Sequence, residues 1–445
     1  MSILKKIKIS TDYNPLRWPH GHRRYTRNRL DGRRRGDQLG FIPVGCTEGQ
    51  RWRDMRAILS PSFSSSKMKT MFVLVSQCGQ QMMDFLEELV RKNGNNVHTV
   101  EMKDLTTRYT NDVIATTAFG ITVDSLRNPN NEFYLVGKGL TNFKGWRMLV
   151  MLGHIASSSL MKFLRIPFTS TWVSKFIYSL IDDTMRTRER EGIVRPDMIQ
   201  LLMEARKEEF PDEQGFNGVN GDKRRKIELS DKDIAAQAAV FFLAGFETSS
   251  TLMSFVSYFL AIHEDVQQRL QEEIDNMLEN TGGKVTYEEV IALKYLDMVI
   301  SETLRMYPPA SAMDRVCVKP YWIPPSGNQP GMAFREGDIL EIPIFGLHRD
   351  EEYFPEPDKF DPERFSNENK HKIKPFSFIP FGIGPRSCIG NRFALMESKV
   401  VLVYLMSRFN LKVVDKTPIP VRLSKNNAGP EPEGGFWLGL ELRGH

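Results

Sequence analysis

Over most of its length the chain repeats apolar residues at helical spacing, and the interruptions mark its loops and strands. Residues 1–45 hold no sustained period; Pro15, Pro19 and the run Arg33-Arg34-Arg35 read as loop or disorder. Helical text begins at Gly49. Residues 65–92 and 101–119 read as two helices, the second turning Leu105, Tyr109, Val113 and Ala118 inward. Residues 132–190 read as a pair of helices flanking an apolar connection from Met148 to Phe168. Residues 207–228, with Gly215, Gly218, Gly221 and Lys223-Arg224-Arg225-Lys226, read as an exposed loop. Ser230 followed by Asp233 is a capping signature. The pattern then holds to about His263, roughly 50 Å of helix. Helices continue over 264–280 and 287–291, and a further one ends at Tyr307-Pro308-Pro309, where proline removes the next donor. Arg315-Val316-Cys317-Val318 and Ile339-Leu340-Glu341-Ile342 read as strands. A last helical run starts near Ile389, and short strands follow residue 409, with Gly434-Gly435-Phe436 as a hairpin tip.

Composition narrows the class. The chain has 445 residues, 41% of them hydrophobic, with no repeat or low-complexity tract. That suffices for one large core or for two or three domains. Cys46, Cys78, Cys317 and Cys388 are widely spaced and form no Cys-x-x-Cys, which argues for reduced thiols. The net charge is +5, but residues 1–45 hold 11 Lys/Arg against 3 Asp, so they carry +8 and the rest carries −3. Charge alone gives no nucleic-acid partner, because the basic segment has no recognition motif. Arginine-rich and acid-poor, it also resembles a mitochondrial targeting segment; a solvated tail is the plainer reading. No stretch reaches the roughly 18 consecutive apolar residues of a membrane span.

Candidate chemistry centres on Cys388. It sits between Gly384 and Gly390, where a glycine-permitted loop turns into a helix. A helix N-terminus favours thiolate over thiol, and a thiolate can ligate haem iron from the proximal side. The two glycines would let the backbone approach a flat macrocycle, and Arg386 is spaced to reach an anion beside it. A lone cysteine is more often a small buried hydrophobe. Trp52 and Arg56 are four residues apart on one helix face; taken alone they describe a surface helix with a half-buried Trp. Within the long helix, Gly245 costs about 1 kcal/mol against alanine. Thr248 stands three residues on, and its hydroxyl can bond a carbonyl one turn back. Together they open a groove beside a hydroxyl, or they allow close helix packing around a self-bonded threonine. Glu302 and Arg305 form an i, i+3 pair, ordinarily a surface pair worth under about 1 kcal/mol. His348 in Leu-His-Arg-Asp could be read as a metal ligand, but no partner cluster lies near it.

The segment Phe381-Gly-Ile-Gly-Pro-Arg-Ser-Cys-Ile-Gly390 fills every position of Phe-x-x-Gly-x-Arg-x-Cys-x-Gly and resembles the haem-binding signature of the cytochrome P450 family. Trp52-x-x-x-Arg56, Ala244-Gly245-Phe246-Glu247-Thr248, Glu302-x-x-Arg305 and Pro362-Glu363-Arg364-Phe365 resemble further family motifs, in the family's order. The resemblance covers about residue 49 to the end. It implies a mainly α haem-thiolate fold with small β-sheets. It also implies a monooxygenase that inserts one atom of O2 into a small apolar substrate. The cofactor implied is haem (heme b, iron-protoporphyrin IX), with Cys388 as the iron ligand and Phe381, Gly390, Ala244 and Gly245 around it. Trp52, Arg56, Arg315 and Arg386 would hold its propionates, and Glu247 and Thr248 would relay protons. Phe241, Phe242 and Ala312 would shape the substrate pocket. Glu302, Arg305 and Arg364 would brace the cysteine loop from behind, and His348 would be scaffold or, alternatively, a propionate contact. Electrons would come from NADPH through a flavoprotein reductase, with cytochrome b5 a further partner.

The wording around Cys388 is most similar to the microsomal, xenobiotic-metabolising branch, which implies the cytosolic face of the endoplasmic reticulum membrane. Residues 1–45 do not supply that branch's membrane helix, hinge or first strands. The expected division is therefore a basic segment, 1–45, and a haem domain, 46–445, lacking part of the usual N-terminal region. Its membrane contact would be peripheral, through residues 148–168. Two other readings stay open: a haem-binding but inactive relative, and a haem-thiolate isomerase, against which the acid–alcohol pair argues.

Overall fold

A computed structural model describes residues 49–92, 97–141, 146–167, 170–195, 197–206, 209–211, 224–226, 229–325, 330–425 and 429–444. The reading of residues 1–45 as disordered lies outside them. The helices are α1 (Gly49–Leu59), α2 (Ser65–Lys92), α3 (Met102–Ile114), α4 (Glu132–Thr141), α5 (Trp146–Phe163), α6 (Thr171–Glu191), α7 (Met198–Ala205), α8 (Asp231–Ile262), α9 (Glu264–Asn280), α10 (Tyr287–Ala292), α11 (Lys294–Met306), α12 (Ile344–His348) and α13 (Asn391–Arg408). The strands are β1 (Val97–Glu101), β2 (Glu209–Pro211), β3 (Arg224–Lys226), β4 (Met313–Val316), β5 (Tyr321–Ile323), β6 (Met332–Phe334), β7 (Ile339–Ile342), β8 (Phe409–Lys412) and β9 (Trp437–Leu442). All described pairings are antiparallel: β1–β9–β8, β2–β3, β4–β7 and β5–β6. The mainly α expectation with small sheets holds.

α8 organises the rest. Its start is fixed by a complete capping box, with Ser230 and Asp233 exchanging side-chain-to-backbone bonds. Every residue from Ser249 to Ala261 is buried, so the second half is wrapped on all sides. Its hydroxyls there, on Ser250, Thr251, Ser254 and Ser257, are satisfied by carbonyls one turn back in the same helix. In the first half Ala244 and Thr248 are exposed, leaving one open face. α3 crosses α8 at Gly245, where a Cβ would lie 2.4 Å from Ile114 Cδ1. Along that crossing Thr110 donates to the Phe246 carbonyl at 2.9 Å and Thr106 to the Ser250 carbonyl at 3.1 Å. Behind α8, α13 packs on α2, where a Cβ on Gly79 would lie 2.9 Å from Tyr404 Cδ2.

Three local readings change. The 132–190 region is more than two helices and a connection: α5 forms within it, broken at Ser157 (φ −159°, ψ 87°). Within 207–228 two short strands, β2 and β3, pair at Glu209↔Lys226. Gly434 and Gly435 are not a hairpin tip. They take left-handed φ (86° and 92°) to turn the chain onto Glu101, whose Oε1 accepts the Phe436 amide at 2.7 Å.

Candidate active site

The cysteine loop is a closed backbone turn. Gly382 (φ 70°) and Gly384 (φ 77°) take the left-handed conformation that a side chain would strain. The Cys388 amide then donates to the Phe381 carbonyl at 2.8 Å, and the Gly382 amide to the Ile379 carbonyl at 3.0 Å. Phe381 itself packs against the core. This holds Cys388 on the exposed side of the loop. Helix α13 starts only at Asn391, with Gly390 as its N-cap. The Gly390 backbone at that terminus does favour thiolate, as expected, but burial opposes it. Enough protein crowds the sulfur that desolvation pushes its pKa up, outweighing the Gly390 backbone and the Arg56 charge, which pull it down.

α1 reaches the same place. Arg56 Nη1 donates to the Ser387 carbonyl at 2.8 Å, and the Arg386 guanidinium lies 4.3 Å from the centre of the Trp52 ring. Arg56 and Trp52 thus flank the residues just before Cys388 from one helix face. Phe63, in the turn after α1, joins the loop to α8: it stacks on Phe241 at 5.6 Å and lies 3.7 Å from where a Gly390 Cβ would stand. Gly390 has ordinary φ (−93°), and within 4 Å such a Cβ meets only Phe63. Among the described residues nothing demands glycine there, and a side chain's space lies open beside the loop. The presented thiol, the nearby guanidinium groups and this room fit a haem.

On α8 the acid and the alcohol point apart. Thr248 Oγ1 bonds its own helix, donating to the Ala244 carbonyl at 2.7 Å, and both residues lie on the open face. Glu247 turns towards α3, where Lys103 Nζ is 2.7 Å from its Oε1. The same ammonium donates to Ser250 Oγ at 2.8 Å and Thr251 Oγ1 at 2.7 Å. Gly245 also faces α3, against Ile114, which is the close-packing alternative. Phe242 does not reach a pocket: it is fully buried among Phe119, Phe133 and Phe246. Ala312 is half-buried. Arg315 pairs through its backbone with Leu340, and its guanidinium donates to the Asp314 carbonyl at 2.7 Å. No described contact joins that guanidinium to Arg56 or Arg386. Met313, at the head of the same strand, comes within 3.5 Å of a Gly382 Cβ, which sets β4 beside the cysteine loop.

Glu302, Arg305 and Arg364 form a buried network. Glu302 and Arg305 are fully buried and doubly bonded, at 2.7 and 2.8 Å. Arg364 Nε stands 3.4 Å from Glu302, and the Asp361 amide donates to its Oε1 at 2.9 Å. Burial pushes the Glu302 carboxyl up, against the pull of both arginines. Arg305 Nη1 also donates to the His348 carbonyl at 3.0 Å. Lys103 and His348 could not be assigned these partners from sequence, since neither partner lies near them in the chain.

Comparison with known proteins agrees with this arrangement. The family model described as Cytochrome P450 matches residues 34–437. Cytochrome P450 9e2 of Blattella germanica is 54% identical over 89% of this chain and 75% of its own length. Probable cytochrome P450 9f2 of Drosophila melanogaster is 42% identical over 88% of this chain and 74% of its own. Cytochrome P450 3A9 of Rattus norvegicus is 37% identical over 87% and 75%.

Proposed function

Because the chain belongs to the cytochrome P450 family, whose members are haem monooxygenases, we propose that it inserts one atom of O2 into a small apolar substrate, with Cys388 as the iron ligand. The observation that carries the reading is Cys388 presented on a loop closed by its own amide. Arg56 on Ser387 and the Arg386–Trp52 stack stand beside it. Haem, when bound, supplies the iron at which O2 is activated and the second oxygen atom leaves as water.

The chain's own residues do the rest. Cys388 gives up its proton to ligate. Trp52, Arg56, Arg386 and Arg315 hold the propionates, the first three already gathered at the loop. Ala244 and Phe381 wall the macrocycle. Thr248 hands over a proton from Oγ1, exchanging its bond to Ala244 for the new acceptor. Glu247 resupplies that proton after its carboxylate leaves Lys103 and takes up a proton from solvent through its exposed side. Electrons come from NADPH through a flavoprotein reductase, with cytochrome b5 as an auxiliary donor.

We place the protein on the cytosolic face of the endoplasmic reticulum, in contact with the membrane through α5. Trp146 and Phe163 of that helix are 69% and 81% exposed, and Leu149, Leu152 and Leu160 are exposed with them. Retention of soluble protein after removal of this apolar face, with no change in membrane binding, would refute that contact.

The function is tested by the ferrous–CO difference spectrum of the full chain expressed with haem supply. A Soret band at the red-shifted thiolate position, abolished in Cys388→Ser, is expected. A wild-type band at the position of a neutral ligand would end the reading. Substrate-dependent NADPH consumption with reductase then separates an active enzyme from a haem-binding, inactive relative.

A further inference from the structure

His348 ends α12 with its ring fully buried and engaged by protein, which leaves the propionate contact that the resemblance offered as its alternative without a free ring nitrogen facing solvent. Its Nε2 lies 2.9 Å from the Ile379 amide nitrogen. A backbone N–H can only donate, so Nε2 must be the acceptor and the ring must be neutral with its proton on Nδ1. Nδ1 makes no hydrogen bond of full geometry, but it faces the Leu304 and Arg305 carbonyls at the end of α11. Phe378 at 5.3 Å and Phe354 at 6.3 Å crowd the ring. Ile379 is where the cysteine loop begins. Its carbonyl accepts the Gly382 amide, and the neighbouring Phe381 carbonyl accepts the Cys388 amide. On the other side, the His348 carbonyl accepts from Arg305, the partner of Glu302.

One hydrogen-bonded path therefore runs from the buried Glu302–Arg305 pair through both ends of His348 to the backbone that presents Cys388. We propose that His348 is a positioning residue: it transmits the fixed position of α11 to the root of the cysteine loop and so sets where the sulfur stands. This deepens the reading of Cys388 as iron ligand and rests on it for its spectroscopic consequence. The physical reason is satisfaction. Ile379 is buried, so without an acceptor its N–H would be stranded, and the loop would shift to recover a bond.

The test uses the full chain as wild type, His348→Leu and His348→Gln. Leucine keeps the volume and removes the acceptor; glutamine restores one. Amide exchange is followed in peptides covering residues 376–390 and, as a control, 294–306. Exchange at the loop is expected to rise roughly tenfold in H348L, with the control unchanged, and to return towards wild type in H348Q. In haem-loaded protein H348L is expected to lose part of the red-shifted CO band to the neutral-ligand position, and H348Q to recover it. If H348L takes up no haem, the haem-free proteins give the exchange comparison. An unchanged loop, an equal rise in both peptides, or no recovery with glutamine overturns the proposal. A wild type without the red-shifted band whose loop is still released in H348L would refute Cys388 ligation and leave the positioning role standing.

Discussion

The cysteine side of the site and the α8 side differ in what holds their working groups. Around Cys388 the holders are backbone amides, a fully buried ion pair and a buried histidine, each fixed by a further partner. On α8, Thr248 is exposed and bonds a carbonyl of its own helix, and Glu247 is held by one part-exposed lysine. In the proposed function the metal ligand must keep one geometry through a catalytic cycle, whereas the proton-transfer groups must change partners. The contrast follows that division: over-determined where position matters, singly held where exchange matters.

The largest effect expected from this contrast is at Glu302. Glu302→Gln leaves Arg305 charged in a fully buried site, and breaking such a pair costs about 3–5 kcal/mol. Chemical denaturation read by far-ultraviolet circular dichroism measures it. A loss under about 1 kcal/mol would mean that this buried network is no more tightly held than the surface pairs.

Next comes pH. Burial lowers the His348 pKa from 6.5 to about 4, so the fold keeps this ring neutral. A depressed pKa gives stability that is full above 6.5 and is lost as pH falls towards 4, by about 3 kcal/mol. Glu397 of α13 is the mirror case. Its burial raises the carboxyl from 4.5 to about 8, so its contribution is full below 4.5 and fades as pH rises. Urea midpoints of wild type and His348→Leu between pH 7 and 4 should converge on the acid side. Parallel curves would show that His348 protonation is not coupled to folding.

How much of this was legible before the structure depended on distance along the chain. The span of α2 and the capped start of α8 could be read because period and capping box are local signals. The cysteine loop was legible in part through its glycines: Gly384 takes the left-handed backbone that is a local demand, whereas Gly390 does not. α5 was missed as a helix because Met148-Leu149-Val150-Met151-Leu152 shows no polar face from which a period can be taken. Phe241 and Phe242 looked alike, yet neighbours on a helix point about 100° apart, and only Phe241 faces Phe63. The reason for Gly245 lay in Ile114, and the placement of Glu247 in Lys103, 144 positions away. No periodicity carries such information.

The smallest stability effect should come from Lys103→Met, and it divides the two sides most sharply. Removing the ammonium leaves Ser250 and Thr251 bonded to carbonyls of their own helix, at 3.0 and 2.9 Å. Glu247 is already 36% exposed and can turn to water. The fold should therefore lose no more than about 1 kcal/mol. Function should change more than stability, because Glu247 would be freed from the partner that turns it away from Thr248. If Glu247 resupplies protons, K103M should shift the pH dependence of product formed per NADPH consumed while leaving the CO spectrum intact. A double variant with Glu247→Gln should then behave as Glu247→Gln alone. A K103M enzyme with the wild-type pH profile would mean that the ion pair is only packing between α3 and α8. The α8 side would then be as fixed as the cysteine side.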